Sequence, residues 1–147
     1  MSKLLPLVSV VRPSCLKNKA PLLILLHGYG SNENDLFSFA AELPKELCVI
    51  ALRAPYGLQP YGYAWYAINF DADQNKWNDV VQAKKSMAII MSCINNVQSL
   101  YGTDPSNVSL LGFSQGCILS IALALNHPEK FKNCLLYTSP SPRDLHW

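Results

Sequence analysis

The chain lacks the features that would place it outright in several large classes of protein. No run approaches the roughly 18 consecutive apolar residues that a membrane-spanning helix requires. Charge of one sign is scarce: twelve Lys and Arg stand against ten Asp and Glu, for a net charge of +2. The basic residues are scattered, so the clustered stripe of a nucleic-acid binder is missing. Neither G-x-G-x-x-G nor G-x-x-x-x-G-K-[ST] occurs, which disfavours a nucleotide-binding domain. The five cysteines, Cys15, Cys48, Cys93, Cys117 and Cys134, are odd in number and contain no C-x-x-C pair. A disulfide framework and a zinc site are therefore not expected, and reduced thiols in a cytoplasm are. An apolar run near the start, Leu4 to Val11, is interrupted by Pro6, followed by Arg12 and without an A-x-A-like cleavage site. It reads as a first strand rather than a secretion signal. There is no internal repeat.

What is present is a globular composition. Of 147 residues, 50% are hydrophobic and 15% charged, enough for one sizeable core and too few for two ordinary domains. Leu22 to Leu26 (LLILL), Leu47 to Leu52 and Val108 to Phe113 (VSLLGF) are short, nearly continuous apolar runs, as expected of strands buried on both faces. Between them, Asn32 and Asn34 can cap a short helix through Ala41 that buries Leu36, Phe37, Phe39 and Ala40. Lys76 to Tyr101 carries Met87, Ile90, Met91, Ile94 and Val97 at steps of three and four, and Gly102 marks its end. Gln115 to Asn126 is a strongly apolar helix. Alternation of strands and helices gives an α/β fold with a mostly parallel sheet and helices on both faces. The Pro-, Gly- and aromatic-rich stretch from Arg53 to about Asn75 is too long for a plain connection, and such loops are commonly functional.

Two motifs carry chemistry. Gly112-Phe113-Ser114-Gln115-Gly116 is a G-x-S-x-G at the end of a strand and the start of a helix, the context of a nucleophile elbow. A tight turn there projects Ser114 Oγ above the sheet edge, and the glycines remove bulk where strand and helix pass closely. The second motif, His27-Gly28-Tyr29-Gly30, follows the first strong strand, where an acyl hydrolase needs a loop able to aim a backbone N–H at a developing oxyanion. The N–H of Gln115, at a helix N-terminus, would be the other donor. His27 reads as a brace for its loop rather than as a catalytic base.

LLHGYGSNENDL, LRAPYG, GYAWY and LLGFSQGCILSIALALNHPEKF, in this order and spacing, resemble the phospholipase/carboxylesterase family of α/β-hydrolases, which includes the acyl-protein thioesterases. The resemblance runs from Leu22 to about Asn133. It implies the N-terminal portion of an α/β-hydrolase fold and a cytoplasmic serine carboxylic-ester hydrolase that works without cofactor or metal on a small-molecule or acyl ester substrate. It carries over Ser114 as nucleophile, Tyr29 and Gln115 as oxyanion donors, and Trp65 as a substrate-binding aromatic. Cys117 departs from the family pattern, where glycine or another small residue is common, and reads as packing.

A serine of this kind needs a histidine base oriented by a carboxylate, in the chain order Ser, Asp, His. After Ser114 the acids are Glu129 and Asp144 and the histidines His127 and His146. His127 and Glu129 fall about 18 Å away at the far end of the elbow helix, at ~1.5 Å per residue. Asp144 and His146 make a poor pair. Cys134 to Asp144 (CLLYTSPSPRD) resembles a translated sequencing adapter where the family would have an apolar strand and further α/β units. The expectation is a partial hydrolase domain over 1–133 and a non-native tail over 134–147, with Leu135, Leu136 and Tyr137 able to line up beside Val108 to Phe113. Lacking its acid and base, such a chain would be nearly inactive. The alternative is a non-catalytic hydrolase-like module that binds a ligand through the Tyr61 to Tyr66 segment.

Overall fold

A computed structural model of the chain describes residues 5–73 and 76–136. Its core is a five-stranded sheet in the order β1-β3-β2-β8-β9. The strands are β1 (Ser9–Arg12), β2 (Ala20–Leu26), β3 (Cys48–Leu52), β8 (Thr103–Gly112) and β9 (Asn133–Leu136). Only β1 is antiparallel to its neighbour; β3, β2, β8 and β9 run parallel. The parallel strands are joined through helices, as a crossover between parallel strands requires. These helices are α1 (Glu33–Phe37), α2 (Val80–Tyr101) and α3 (Gln115–Asn126).

Successive side chains of a strand point to opposite faces, and both faces of the central strands are buried. Leu22, Ile24 and Leu26 of β2 pack with Cys48, Ile50 and Leu52 of β3 and with Ile90, Cys93, Ile94 and Val97 of α2 and Leu119 and Leu123 of α3. The intervening Leu23, Leu25, Val49 and Ala51 meet Leu36 and Ala40 on the other side. This explains why these strands read as unbroken apolar runs. At the β1 edge of the sheet, the Arg12 guanidinium donates to the carbonyls of Ala40, Leu43, Pro44 and Leu47, which fastens β1 to the turn before β3.

Two sequence expectations are corrected at element boundaries. The segment after Asn32 changes from α-helix to a 3-10 turn at Ser38–Glu42. A turn of 3.0 rather than 3.6 residues rotates later side chains, so Phe39, expected inside, is 42% exposed. Helix α2 starts at Val80, not Lys76: Asp79 caps it by accepting from the Gln82 N–H at 3.0 Å. Residues Lys76–Asn78 instead form β7, paired antiparallel with β6 (Ile68–Phe70). With β4 (Tyr56–Gly57) and β5 (Tyr63–Ala64), this folds the long aromatic stretch into two small hairpins. Gly102 ends α2 in the left-handed conformation, φ 65°, as its position suggested. Residues Asn133–Leu136 lie parallel to Ser109–Gly112, the placement anticipated for Leu135 and Leu136; Tyr137 and the rest of the tail lie outside the described residues. Among the described residues no helix is long and apolar enough to cross a membrane.

Candidate active site

The site is built where β2 and β8, which are adjacent, deliver their C-terminal loops to the same edge of the sheet. Ser114 sits between β8 and α3 with φ 54° and ψ −115°, a conformation that costs a non-glycine residue on the order of 1–3 kcal/mol. The surroundings hold it there. Phe113 N–H donates to the Leu26 carbonyl at 3.1 Å, Gly116 N–H to the Phe113 carbonyl at 2.9 Å, and Ile118 N–H to the Ser114 carbonyl at 3.1 Å. The two glycines of the motif are required by close approach: a Cβ on Gly112 would overlap the Gly116 carbonyl, and one on Gly116 would overlap the Leu26 carbonyl. The result is an exposed serine whose side chain does not cap its own helix.

The loop after β2 is oriented by His27. Its Nε2 accepts from the Ala54 N–H at 3.0 Å, which leaves the proton on Nδ1, and Nδ1–H donates to the Gly28 carbonyl at 2.7 Å. Burial pushes the imidazole pKa down, in keeping with a neutral ring whose two nitrogens are both engaged. The Gly28 carbonyl also accepts from the Ser31 N–H at 3.1 Å. A planar trans peptide places C=O and N–H on opposite sides, so fixing this carbonyl turns the Tyr29 N–H the other way. Gly28 itself lies against the Ser114 turn: a Cβ there would come within 3.2 Å of Ser114 Cβ and 3.0 Å of Phe113 Cδ1.

Behind both loops lies a buried polar frame. The Gln115 side chain accepts from the Trp65 N–H at 2.7 Å and donates to the Tyr66 carbonyl at 2.8 Å, pairing with the backbone as a strand would. Trp65 Nε1–H donates to the His27 carbonyl at 2.8 Å, and Ser86 Oγ donates to the Trp65 carbonyl at 2.6 Å. The His27 and Trp65 rings are 5.4 Å apart. Trp65 is completely enclosed; in this chain its bonds tie the two loops together, and it presents no surface to a substrate.

Comparison with known proteins now decides the relationship. A family model described as phospholipase/carboxylesterase matches residues 8–141. The chain belongs to the phospholipase/carboxylesterase family. An uncharacterised hydrolase of Mycosarcoma maydis is 26% identical over 113 residues, covering 71% of this chain and 42% of that protein. Among solved structures, esterase PE8 superposes with a TM-score of 0.72 at 25% identity, over 87% of this chain and 61% of that one. The Bacillus cereus carboxylesterase gives a TM-score of 0.75 at 21% identity, over 89% and 59%. The chain thus spans less than two thirds of each of these proteins and corresponds to the N-terminal portion of the α/β-hydrolase fold.

Within that portion the two motifs named from the sequence, His27 to Gly30 and Gly112 to Gly116, lie side by side. Among the described residues Ser114 Oγ has no hydrogen-bond partner. His127 caps the opposite end of α3, where its N–H donates to the Leu123 carbonyl. Asp144 and His146 lie outside the described residues. The sequence reading missed the Gln115 side-chain bridge, Ser86, and an ion pair beside the loop, Arg53 with Glu33 at 2.6 Å. Their only trace in the sequence is local polarity, since each partner lies 20 or more residues away.

Proposed function

We propose that this chain carries the nucleophile and oxyanion-binding parts of a serine carboxylic-ester hydrolase. The observation that carries the reading is the strained, exposed Ser114 held against Gly28, the residue whose fixed carbonyl orients the Tyr29 N–H. In this reading Ser114 Oγ attacks an acyl carbonyl, and the Tyr29 and Gln115 N–H groups receive the oxyanion. Two such donors match the charge that develops on the carbonyl oxygen, and each is worth about 3 kcal/mol of transition-state stabilisation. The adduct collapses with cleavage of the ester C–O bond, the alcohol leaves with the proton taken from Ser114 Oγ, and water then releases the acid from the acyl-enzyme. Trp65 serves as a brace for both loops.

The base and its orienting carboxylate belong, in this reading, to chain beyond the first 133 residues of the native protein, and residues 134–147 are a non-native tail. Supporting this, Leu135 and Leu136 of β9 are exposed, whereas β2 and β3 are buried on both faces. Recovery of the locus as an uninterrupted frame encoding CLLYTSPSPRD would overturn the tail assignment. Without its partners Ser114 retains acceleration of order 10³ to 10⁴ over water at most. The family spans ester, thioester and lysophospholipid substrates, and a thioesterase role remains within this reading. Five unpaired thiols support a reducing compartment such as the cytoplasm.

Labelling by a fluorophosphonate tests the nucleophile, because the reagent phosphonylates an activated serine. In a chain extended by its C-terminal units, mass spectrometry should place the adduct on Ser114, and Ser114→Ala should abolish it. A p-nitrophenyl acetate burst should follow the same pattern. If a chain extended by its C-terminal units neither labels nor turns over, the module is a binding one. Of the Tyr61 to Tyr66 segment, Ala64, Trp65 and Tyr66 are buried, which leaves Tyr61 and Tyr63 to face a ligand.

A further inference from the structure

An open cleft of about 730 Å³ lies directly beside the oxyanion loop, sharing Tyr29 and Gly30 with it. This size falls in the usual range of small-molecule sites, roughly 300–1,000 Å³. Its walls combine two kinds of group. Tyr29, Tyr61 and Tyr63 contribute aromatic rings, with Tyr61 80% and Tyr29 45% exposed. Asn34, Gln59 and Arg53 contribute polar groups.

The charge in the cleft is already cancelled. Arg53 spends Nε and Nη2 on the two Glu33 carboxylate oxygens, at 2.9 and 2.6 Å, and its guanidinium lies 4.5 Å over the Tyr63 ring. Glu33 is buried, and the Arg53 hydrogen bonds hold its carboxyl below the usual range. Among the described residues no acceptor engages Arg53 Nη1 and no partner engages the amide side chains of Asn34 and Gln59. An anionic ligand would meet a guanidinium that already has its counter-ion, with a carboxylate directly behind it. A cationic ligand would find the one carboxylate of the lining, Glu33, already held by Arg53, and an alkyl chain would strip water from amides it cannot pair with. The groups left over are neutral donors and acceptors next to aromatic faces. A ring bearing several hydroxyls fits both: its axial C–H face is weakly positive and packs on the negative π-face of a tyrosine, while its hydroxyl edge both donates and accepts.

We infer that this cleft receives the alcohol side of the ester, and that this alcohol is a neutral polyhydroxylated ring, as in an O-acylated glycoside. The inference rests on the esterase reading for the chemistry and on the cleft alone for the binding.

Ligand-observed NMR titration of the 147-residue chain separates the two. The probes are methyl 6-O-acetyl-β-glucopyranoside and cyclohexylmethyl acetate, which share a six-membered ring and an acetyl ester and differ in hydroxyls. The glycoside should bind at least about tenfold tighter, and Tyr61→Ala should remove most of that preference with the thermal melt unchanged, since Tyr61 is exposed. Gln59→Ala should weaken the glycoside and leave cyclohexylmethyl acetate unaffected. Equal or tighter binding of cyclohexylmethyl acetate, or a preference that survives Tyr61→Ala, overturns the inference. Fluorophosphonate labelling of Ser114 in a chain extended by its C-terminal units keeps the two readings apart. Labelling without discrimination between the probes sinks the cleft and spares the esterase, and discrimination without labelling does the reverse.

Discussion

Gly116, in the first turn of α3, rests on the main-chain carbonyl of Leu26 at the end of β2, so closely that a methyl group on its Cα would overlap that oxygen. The contact sets the distance between helix and sheet and thereby the conformation of Ser114. Gly116→Ala must push α3 away from β2. Overpacking of a close contact costs roughly 1–3 kcal/mol, and the released turn should lose its reactive serine. Urea melts should show the destabilisation, and in a chain extended by its C-terminal units fluorophosphonate labelling should fall at least tenfold even where the protein stays folded. Labelling at the original rate would show that the close approach does not matter.

His27 makes stability depend on pH. Its folded-state pKa lies below the ordinary value of 6.5 because burial disfavours the charged ring. As pH falls through about 6.5, the unfolded chain binds a proton that the folded chain refuses, so stability is complete above that pH and declines below it. Glu33 adds a second loss at lower pH: Arg53 holds its pKa below 4.5, so its contribution is present above that value and disappears as pH falls through the folded pKa. The melting temperature should be flat from pH 8 to 7 and fall from 6.5 downwards, and His27→Gln should flatten the interval from 7 to 5. A wild-type melt independent of pH across that interval would contradict the neutral, doubly bonded ring.

Trp65→Phe tests the frame behind the loops. The change keeps an aromatic ring and deletes the Nε1–H that satisfies the His27 carbonyl at 2.8 Å. A buried acceptor left unpaired costs about 1–3 kcal/mol. Gln115→Leu, which removes two bonds to the Trp65–Tyr66 backbone, should cost more. Denaturant titrations of both variants check the order; a reversal would place the main support of the loop elsewhere.

The thiols should report the core. Cys15 is exposed and Cys134 half-buried, while Cys48, Cys93 and Cys117 are buried. Burial pushes Cys48 and Cys93 up to about 11, and the thiolate is the reactive form. Titration with a disulfide reagent at pH 8 should give one fast thiol, Cys15, a slower Cys134, and three more only in guanidinium. Release of all five at one rate would mean that the sheet is not closed.

The parts of this fold that could be read in the sequence are those with a local physical signature. The span Gln115–Asn126 was legible at both ends, because a glycine-flanked turn opens it and apolar residues fill it throughout. Ser114 was legible because an elbow needs small residues at fixed offsets. The start of α2 was not, since an Asp79 cap and a strand at Lys76–Asn78 both suit a polar stretch whose pairing partner, Ile68–Phe70, must fold back to meet it. The Gln115 bridge to Trp65 and the Arg53 pair with Glu33 were likewise hidden. They span 50 and 20 residues, and contacts between distant residues leave no periodicity.

The position of β2 between β3 and β8 sets an order of assembly. Strands β2 and β3 are close in sequence and can pair early, whereas Leu26 meets Gly112 and Gly116 only after some ninety further residues have been joined. During synthesis, at ~5–20 residues per second, the His27 to Gly30 loop can thus exist for seconds before Ser114 does. The turn at Ser114 becomes strained only when α3 settles on a sheet already in place, so the growing chain forms its elbow after the strands that restrain it.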